Sequence, residues 1–332
     1  MSSSVSRREF LAGVGALASA AAGSRLPFGM LAAKPLHRSG AMKSPFKVGV
    51  INDEISQDFG RACEVAAREF GMEWMELRGM WNKNIVNLDA KEIADAQRIL
   101  AQYQLRVSDI ASPLFKVDWP GAPKSKFSPK GAQFGADFTF DQQDEVLDRC
   151  IALAKAFGTD RVRCFDFWRL DAPAPYRAAM NQKLQDAAEK CGKKGVILVL
   201  ENEASCNTGT GAEAAKVLDG VPSANFMLNW DPGNAAERGE IPFPDGYNLL
   251  PKNRIGHCHC KDAVKKPDGG YEWAAVGRGF IDWTGQFRAL VRDGYHYAVS
   301  LETHWRGAGT PEESTRQSWA GMKAALQKAG AS

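Results

Sequence analysis

Cysteine is sparse and poorly placed for pairing. Seven occur, an odd number, at positions 63, 150, 164, 191, 206, 258 and 260, with no C-x-x-C. Such spacing does not support a disulfide framework. Basic runs never exceed two residues and the net charge is +3, so the composition offers no footprint for nucleic acid or another polyanion. No apolar run approaches the roughly 18 residues that a membrane span requires. A glycine-rich phosphate loop is missing after the first apolar run, where the chain reads Asn52-Asp53-Glu54-Ile55-Ser56. That absence counts against an open dinucleotide-binding sheet. Histidine is scarce as well, with five in the chain.

What remains is ordinary for a globular protein: 332 residues, 44% hydrophobic and 24% charged. This length suits one large α/β domain with a substantial core. The N-terminus stands apart. Ser6-Arg7-Arg8-Glu9-Phe10-Leu11 precedes a short stretch rich in Ala and Gly, the layout of an export signal of the twin-arginine type. We expect a leader over residues 1–33, a linker over 34–45, a barrel domain over 46–330, and a periplasmic or otherwise exported mature protein.

From Phe46 onward the pattern alternates strand with helix. Apolar runs predict strands at 46–52, 73–78, 106–111, 161–167, 196–202, 226–231, 254–260 and 298–303. Amphipathic stretches predict helices at 58–70, 89–104, 141–157, 175–194, 211–219, 283–294 and 312–329. The segment Glu240 to Asn253 holds three prolines and predicts only a short helix. Parallel neighbours need crossover connections, and eight such units predict a single-domain α/β fold, a closed (β/α)8 TIM barrel. Its site would lie at the C-terminal strand ends, walled by two long loops, Ser112 to Phe140 and Lys261 to Phe280.

Four of these strands end in a metal-type ligand. They run into Glu201, Asp231, His259 and Glu302. Taken singly, Glu201 fits an arginine partner, Asp231-Pro-Gly-Asn fits a turn, and His257 fits a satisfied core histidine. Four such groups on neighbouring strands imply a compensating charge, because a buried lone carboxylate is costly. One divalent ion supplies it. Three carboxylates and an imidazole suit Mn²⁺ or Mg²⁺, with Zn²⁺ or Co²⁺ as alternatives. Strand alternation turns Cys258 and Cys260 away from the face of His259, as apolar filler. Gly277-Arg278-Gly279 is read as a tight turn rather than a phosphate cradle.

The segments Met75-Glu76-Leu77, Leu200-Glu201-Asn202, Asn229 to Asn234, His257 to Asp262, Val276 to Trp283 and Ser300-Leu301-Glu302 resemble the xylose-isomerase-like TIM-barrel superfamily. Within it they resemble the sugar phosphate isomerases/epimerases. The resemblance covers roughly residues 46–330. It implies the ligand order Glu, Asp, His, Glu at Glu201, Asp231, His259 and Glu302, with Glu201 and Glu302 also serving as acid and base. In the epimerase branch a histidine follows the Asp ligand by three residues; here Asn234 stands there. An arginine downstream of the His ligand is replaced by the candidates Lys261, Lys265 and Arg278. Lys261 is expected to contact a substrate oxygen or to pair with Asp262. The low histidine count argues against the endonuclease-IV branch with its trinuclear zinc cluster.

The expected activity is a metal-dependent isomerisation or epimerisation of a free or keto-sugar through an enediolate. A 3-keto-glycoside lyase or hydratase is the enzymatic alternative, and a non-catalytic sugar-binding protein the third. The substrate side is drawn from Lys261, Asn234, His257, Glu76, Trp81 and Arg278, facing a small carbohydrate.

Overall fold

Residues 44–129, 136, 138–267 and 269–332 are described by the structure, a computed structural model. The expected leader and nearly all of the linker lie outside them. Eight strands form where the apolar runs stand: β1 (Lys47–Ile51), β2 (Trp74–Leu77), β3 (Arg106–Ile110), β4 (Arg161–Cys164), β5 (Ile197–Glu201), β6 (Phe226–Trp230), β7 (Ile255–Cys260) and β8 (Ala298–Leu301). Each pairs in parallel with its chain neighbours, and β8 closes on β1 through Lys47 opposite Ala298. The result is a closed eight-stranded barrel.

The wrapping helices are α1 (Phe59–Glu64), α2 (Ala90–Tyr103), α3 (Gln143–Phe157), α4 (Arg177–Gly192), α5 (Gly211–Gly220), α6 (Pro232–Glu237), α7 (Trp283–Arg292) and α8 (Pro311–Ala329). Several begin at caps written in the sequence. Asp89 and Glu92 form a capping box on α2, and Thr210 and Glu213 do so on α5. Thr310 caps α8 with Pro311 in its first turn. Glu240 to Asn253 holds a π turn, Pro242–Gly246, running into the three-residue helix Tyr247–Leu249, and the start of a 3-10 turn, Lys252–Arg254.

Strand alternation sorts the core. Leu198, Leu200, Phe226, Leu228, Trp230, Cys258, Cys260, Val299 and Leu301 join one contiguous hydrophobic cluster with the helices. The intervening residues point into the barrel and are mostly polar toward its C-terminal end. All seven cysteines are buried and unpaired, as apolar filler requires. The ladder shifts register at Met75/Glu76 between β2 and β3, and at Leu228/Asn229 between β6 and β7. Bulges re-aim side chains, and both Glu76 and Asn229 reach His259 (below).

The long segment after β7 is partly ordered into an antiparallel hairpin, Asp262–Lys265 with Tyr271–Ala274. It brings Trp273 over the barrel mouth. No helix among the described residues is long and apolar enough to cross a membrane.

Candidate metal centre

Glu201 is the last residue of β5, Asp231 follows β6, His259 lies one residue from the end of β7, and Glu302 follows β8. One ligand atom from each comes within 4.8 Å of all the others, and all four residues are buried. Nδ1 of His259 lies 3.3 Å from Glu302 Oε2, 3.4 Å from Asp231 Oδ2 and 3.6 Å from Glu201 Oε1. That nitrogen is buried and makes no hydrogen bond. The opposite nitrogen, Nε2, lies 3.1 Å from Glu76 Oε1 and 3.0 Å from the Asn229 amide. Burial opposes protonation of His259, but Glu76, Glu302 and Glu201 push its pKa well above the usual value. The edge facing three carboxylates therefore calls for positive charge, supplied by a proton or by a metal ion that displaces it.

Charge counting gives the same answer. Arg78 and Arg306 are matched by Asp53 and Glu54 in a local ion-pair network. Glu76, Glu201, Asp231 and Glu302 contribute four negative charges, and Lys261 and Arg163 return two. A metal ion that displaces the His259 proton leaves the ring neutral, and the remainder of two negative charges then matches one divalent ion. The donor set and the orphaned nitrogen therefore fit such an ion.

Each glutamate is held by an arginine, buried in the case of Arg163 and partly buried in the case of Arg78. Arg163 donates to Glu201 Oε2 at 2.8 Å, and Arg78 to Glu302 Oε1 at 2.7 Å. Burial opposes ionisation of Glu201, but the Arg163 guanidinium and His259 together outweigh it and hold the carboxyl below its usual range. Burial likewise opposes ionisation of Glu302, and Lys261 leads the charges that hold it well below. Asn234 takes over the remaining oxygen of Glu201, donating to Oε1 at 3.1 Å and to the Asn202 carbonyl at 2.9 Å. The residue standing in for the expected histidine thus orients a candidate ligand.

The turn reading of Asp231-Pro-Gly-Asn gives way to a helix. Asp231 caps α6, its Oδ1 accepting from the Asn234 backbone at 2.9 Å while Oδ2 faces the centre. Six residues were too few to carry an amphipathic signal.

The expected Lys261–Asp262 pair does not form. Asp262 turns its carboxylate to the backbone N–H groups of Ala263, Gly277, Gly279 and Ile281 at 2.9–3.3 Å. Gly277-Arg278-Gly279 is therefore an anion cradle for a carboxylate of its own chain. Gly277 takes φ +84°, and a Cβ on Gly279 would meet Asp262 Oδ1 at 2.0 Å. Lys261 goes instead to Asp231 Oδ2 at 2.8 Å and Glu302 Oε2 at 2.7 Å.

Other expected substrate contacts are redistributed. His257 is fully buried between Asn229 Oδ1 at 3.2 Å and Ser300 Oγ at 3.4 Å. Burial pushes its pKa down to about 3, so it is a neutral core histidine. Glu76 is fully buried beneath His259. Trp81 packs edge-on against Phe59 at 5.9 Å, and Arg278 sits over Trp305 at 6.0 Å. Neither lines the cavity above the centre.

That cavity measures about 400 Å³ and opens over Glu201 and Glu302. Its walls include Arg78, Lys116, Arg163, Trp273, His304 and Arg306. Of these, Arg78, Arg163 and Lys116 carry no sequence signal beyond an arginine inside an apolar strand or a lysine in a long loop. Lys116 stands 3.2 Å from Glu203 and over the rings of Phe165 and Trp168.

Solved structures of similar fold include a probable 3-DHS dehydratase, AsbF, from Bacillus anthracis. It shares 20% identity over 84% of this chain and 98% of its own, with a TM-score of 0.62. D-allulose 3-epimerase from Methylomonas sp. shares 18% identity over 87% and 100%, with a TM-score of 0.63. The IOLI protein with a bound zinc atom shares 14% identity over 86% and 98%, with a TM-score of 0.65. At such identities the likeness speaks to fold. No curated protein sequence matches this one. The profile of the xylose isomerase-like TIM barrel matches residues 65–325, and the chain belongs to that family.

Proposed function

We propose that this chain is a divalent-metal-dependent sugar isomerase or epimerase. It acts on a non-phosphorylated or keto-sugar through an enediolate, after export by a twin-arginine leader. The observation that carries this reading is the cluster Glu201, Asp231, His259 and Glu302, whose two glutamates open into a cavity of about 400 Å³ lined mostly by charged side chains. When bound, a divalent ion there supplies Lewis-acid polarisation of a substrate carbonyl and stabilises the charge of the enediolate.

The chain's own residues would move the proton. Glu201 and Glu302 both line the cavity and are kept ionised by Arg163 and by Lys261 with Arg78. A carboxylate oxygen offers two lone pairs, so an oxygen held by one donor retains a pair for a substrate proton. Return of that proton to the opposite face is epimerisation; return to the neighbouring carbon is isomerisation. Trp273, on the hairpin, offers an aromatic face to sugar C–H groups at the mouth.

Cation pairing supports a substrate without phosphate. Among the described residues lining the cavity, Arg78 is engaged by Asp53 and Glu54, Arg163 by Glu201, Arg306 by Glu54 and Lys116 by Glu203. A phosphate dianion needs cations that are not already committed.

A 3-keto-glycoside lyase or hydratase is favoured by one observation. His304 Nε2 lies 3.3 Å from Glu302 Oε1 and lines the cavity, and elimination needs a second proton carrier at the leaving group. Product analysis on keto-sugars and 3-keto-glycosides in deuterated water separates the readings. Deuterium at the carbon next to the carbonyl without cleavage supports isomerase or epimerase chemistry. Release of an aglycone supports the lyase, and inertness toward both classes after metal addition would sink the enzymatic assignment.

A further inference from the structure

The ammonium of Lys261 lies on the same two oxygens that face His259 Nδ1, 2.8 Å from Asp231 Oδ2 and 2.7 Å from Glu302 Oε2. We propose that Lys261 is a built-in second cation of the metal centre, sharing those ligand oxygens with the divalent ion and thereby weakening the hold on it. The inference rests on the metal-centre reading above.

Three observations show that the placement is constructed. The lysine is almost fully buried, and its stem runs across Gly233, where a Cβ would stand 2.4 Å from Lys261 Cγ. Only a glycine at that position of α6 leaves room for it. Its backbone carbonyl is tied down by the indole N–H of Trp283 at 3.1 Å, while the ring of Trp273 lies 5.1 Å from the ammonium. Finally, the neighbouring acid Asp262 is occupied by four backbone amides, so it does not draw the ammonium away.

A positive charge in contact with two of the ligand oxygens repels an incoming ion and competes for their lone pairs. In a buried site this repulsion is weakly screened. Removing it leaves Glu76, Glu201, Asp231 and Glu302 with Arg163 and an Arg78 shared with Asp53 and Glu54, a deficit that strengthens attraction for a divalent cation. The opposite expectation follows if Lys261 only buttresses the two carboxylates. Its loss would then let them splay and would weaken binding.

Calorimetric titration of the metal-free full chain with Mn²⁺ decides between these. Lys261→Met is expected to bind Mn²⁺ at least about tenfold more tightly than the wild type. Gly233→Ala, which evicts the stem but keeps the ammonium, should shift affinity in the same direction by less. It serves as the second variant if Lys261→Met does not fold. Wild-type binding accompanied by unchanged or weaker binding in the variants overturns the role of Lys261 alone. A wild-type chain that takes up no Mn²⁺ overturns the centre itself, and this inference with it.

Discussion

Glu76 Oε1 lies 3.1 Å from Nε2 of His259, and this contact decides which face of the imidazole meets the three carboxylates. Partners of this kind orient a ligand and raise its basicity, and their loss costs about 10–100-fold in metal affinity. Glu76→Gln is therefore expected to weaken Mn²⁺ binding by about that factor, with turnover restored at high metal. Unaltered affinity in a Mn²⁺ titration would show that His259 keeps its orientation without Glu76.

Arg163 is the buried partner of Glu201. Its removal strands a carboxylate in a site where breaking one member of an ion pair costs about 3–5 kcal/mol. Arg163→Met should lower the unfolding free energy by roughly this amount in chelator, and by less in Mn²⁺, since the ion then replaces part of the lost charge. Equal losses in both conditions would mean that Glu201 does not ligate the ion.

Burial lowers the His257 pKa to about 3 in the folded chain, against roughly 6.5 unfolded. Between these values the unfolded state binds the extra proton, so this residue's contribution is fully present above about pH 6.5 and is lost as pH falls toward 3. Replacing it with Gln should flatten the fall in unfolding free energy across that window by up to about 1.4 kcal/mol per pH unit. Denaturant titrations in chelator at several pH values check this. Parallel curves for the two proteins would indicate that His257 titrates alike in both states.

The barrel and the residues of the candidate metal cluster were legible because both are written locally. An apolar run closed by Glu201 or Glu302 carries strand, face and ligand in six residues, and alternation then placed Cys258 and Cys260 on the outer side. The arginine clamps were not legible. Arg163 and Glu201 are 38 residues apart and Arg78 and Glu302 are 224 apart, so their partnership exists only after the barrel closes. The Asp262 cradle escaped for a related reason. Its four donors come from a turn 15–19 residues on and from the next residue, and adjacency in sequence suggested Lys261 instead. Trp81 shows the converse: an aromatic near a strand end satisfied the pattern for a sugar contact but found a better place against Phe59.

Asp262→Ala would leave the N–H groups of Gly277, Gly279 and Ile281 without their carboxylate acceptor. Hydrogen bonds to a charged group contribute about 1.5–3 kcal/mol each, partly recovered by water. A stability loss of about 3 kcal/mol is expected in chemical denaturation, together with weaker substrate binding because the turn supports the hairpin bearing Trp273. Wild-type stability in this variant would show that the cradle is incidental.

The central claim is that Glu201, Asp231, His259 and Glu302 hold one catalytic divalent ion. Elemental mass spectrometry of the purified full chain, before and after chelation and beside an Asp231→Asn, Glu302→Gln double variant, tests it most directly. The account predicts one divalent ion per wild-type chain, turnover that falls with its removal and returns with Mn²⁺, and little bound metal in the variant. Substoichiometric metal in a fully active wild-type chain, with turnover indifferent to chelator, would contradict it.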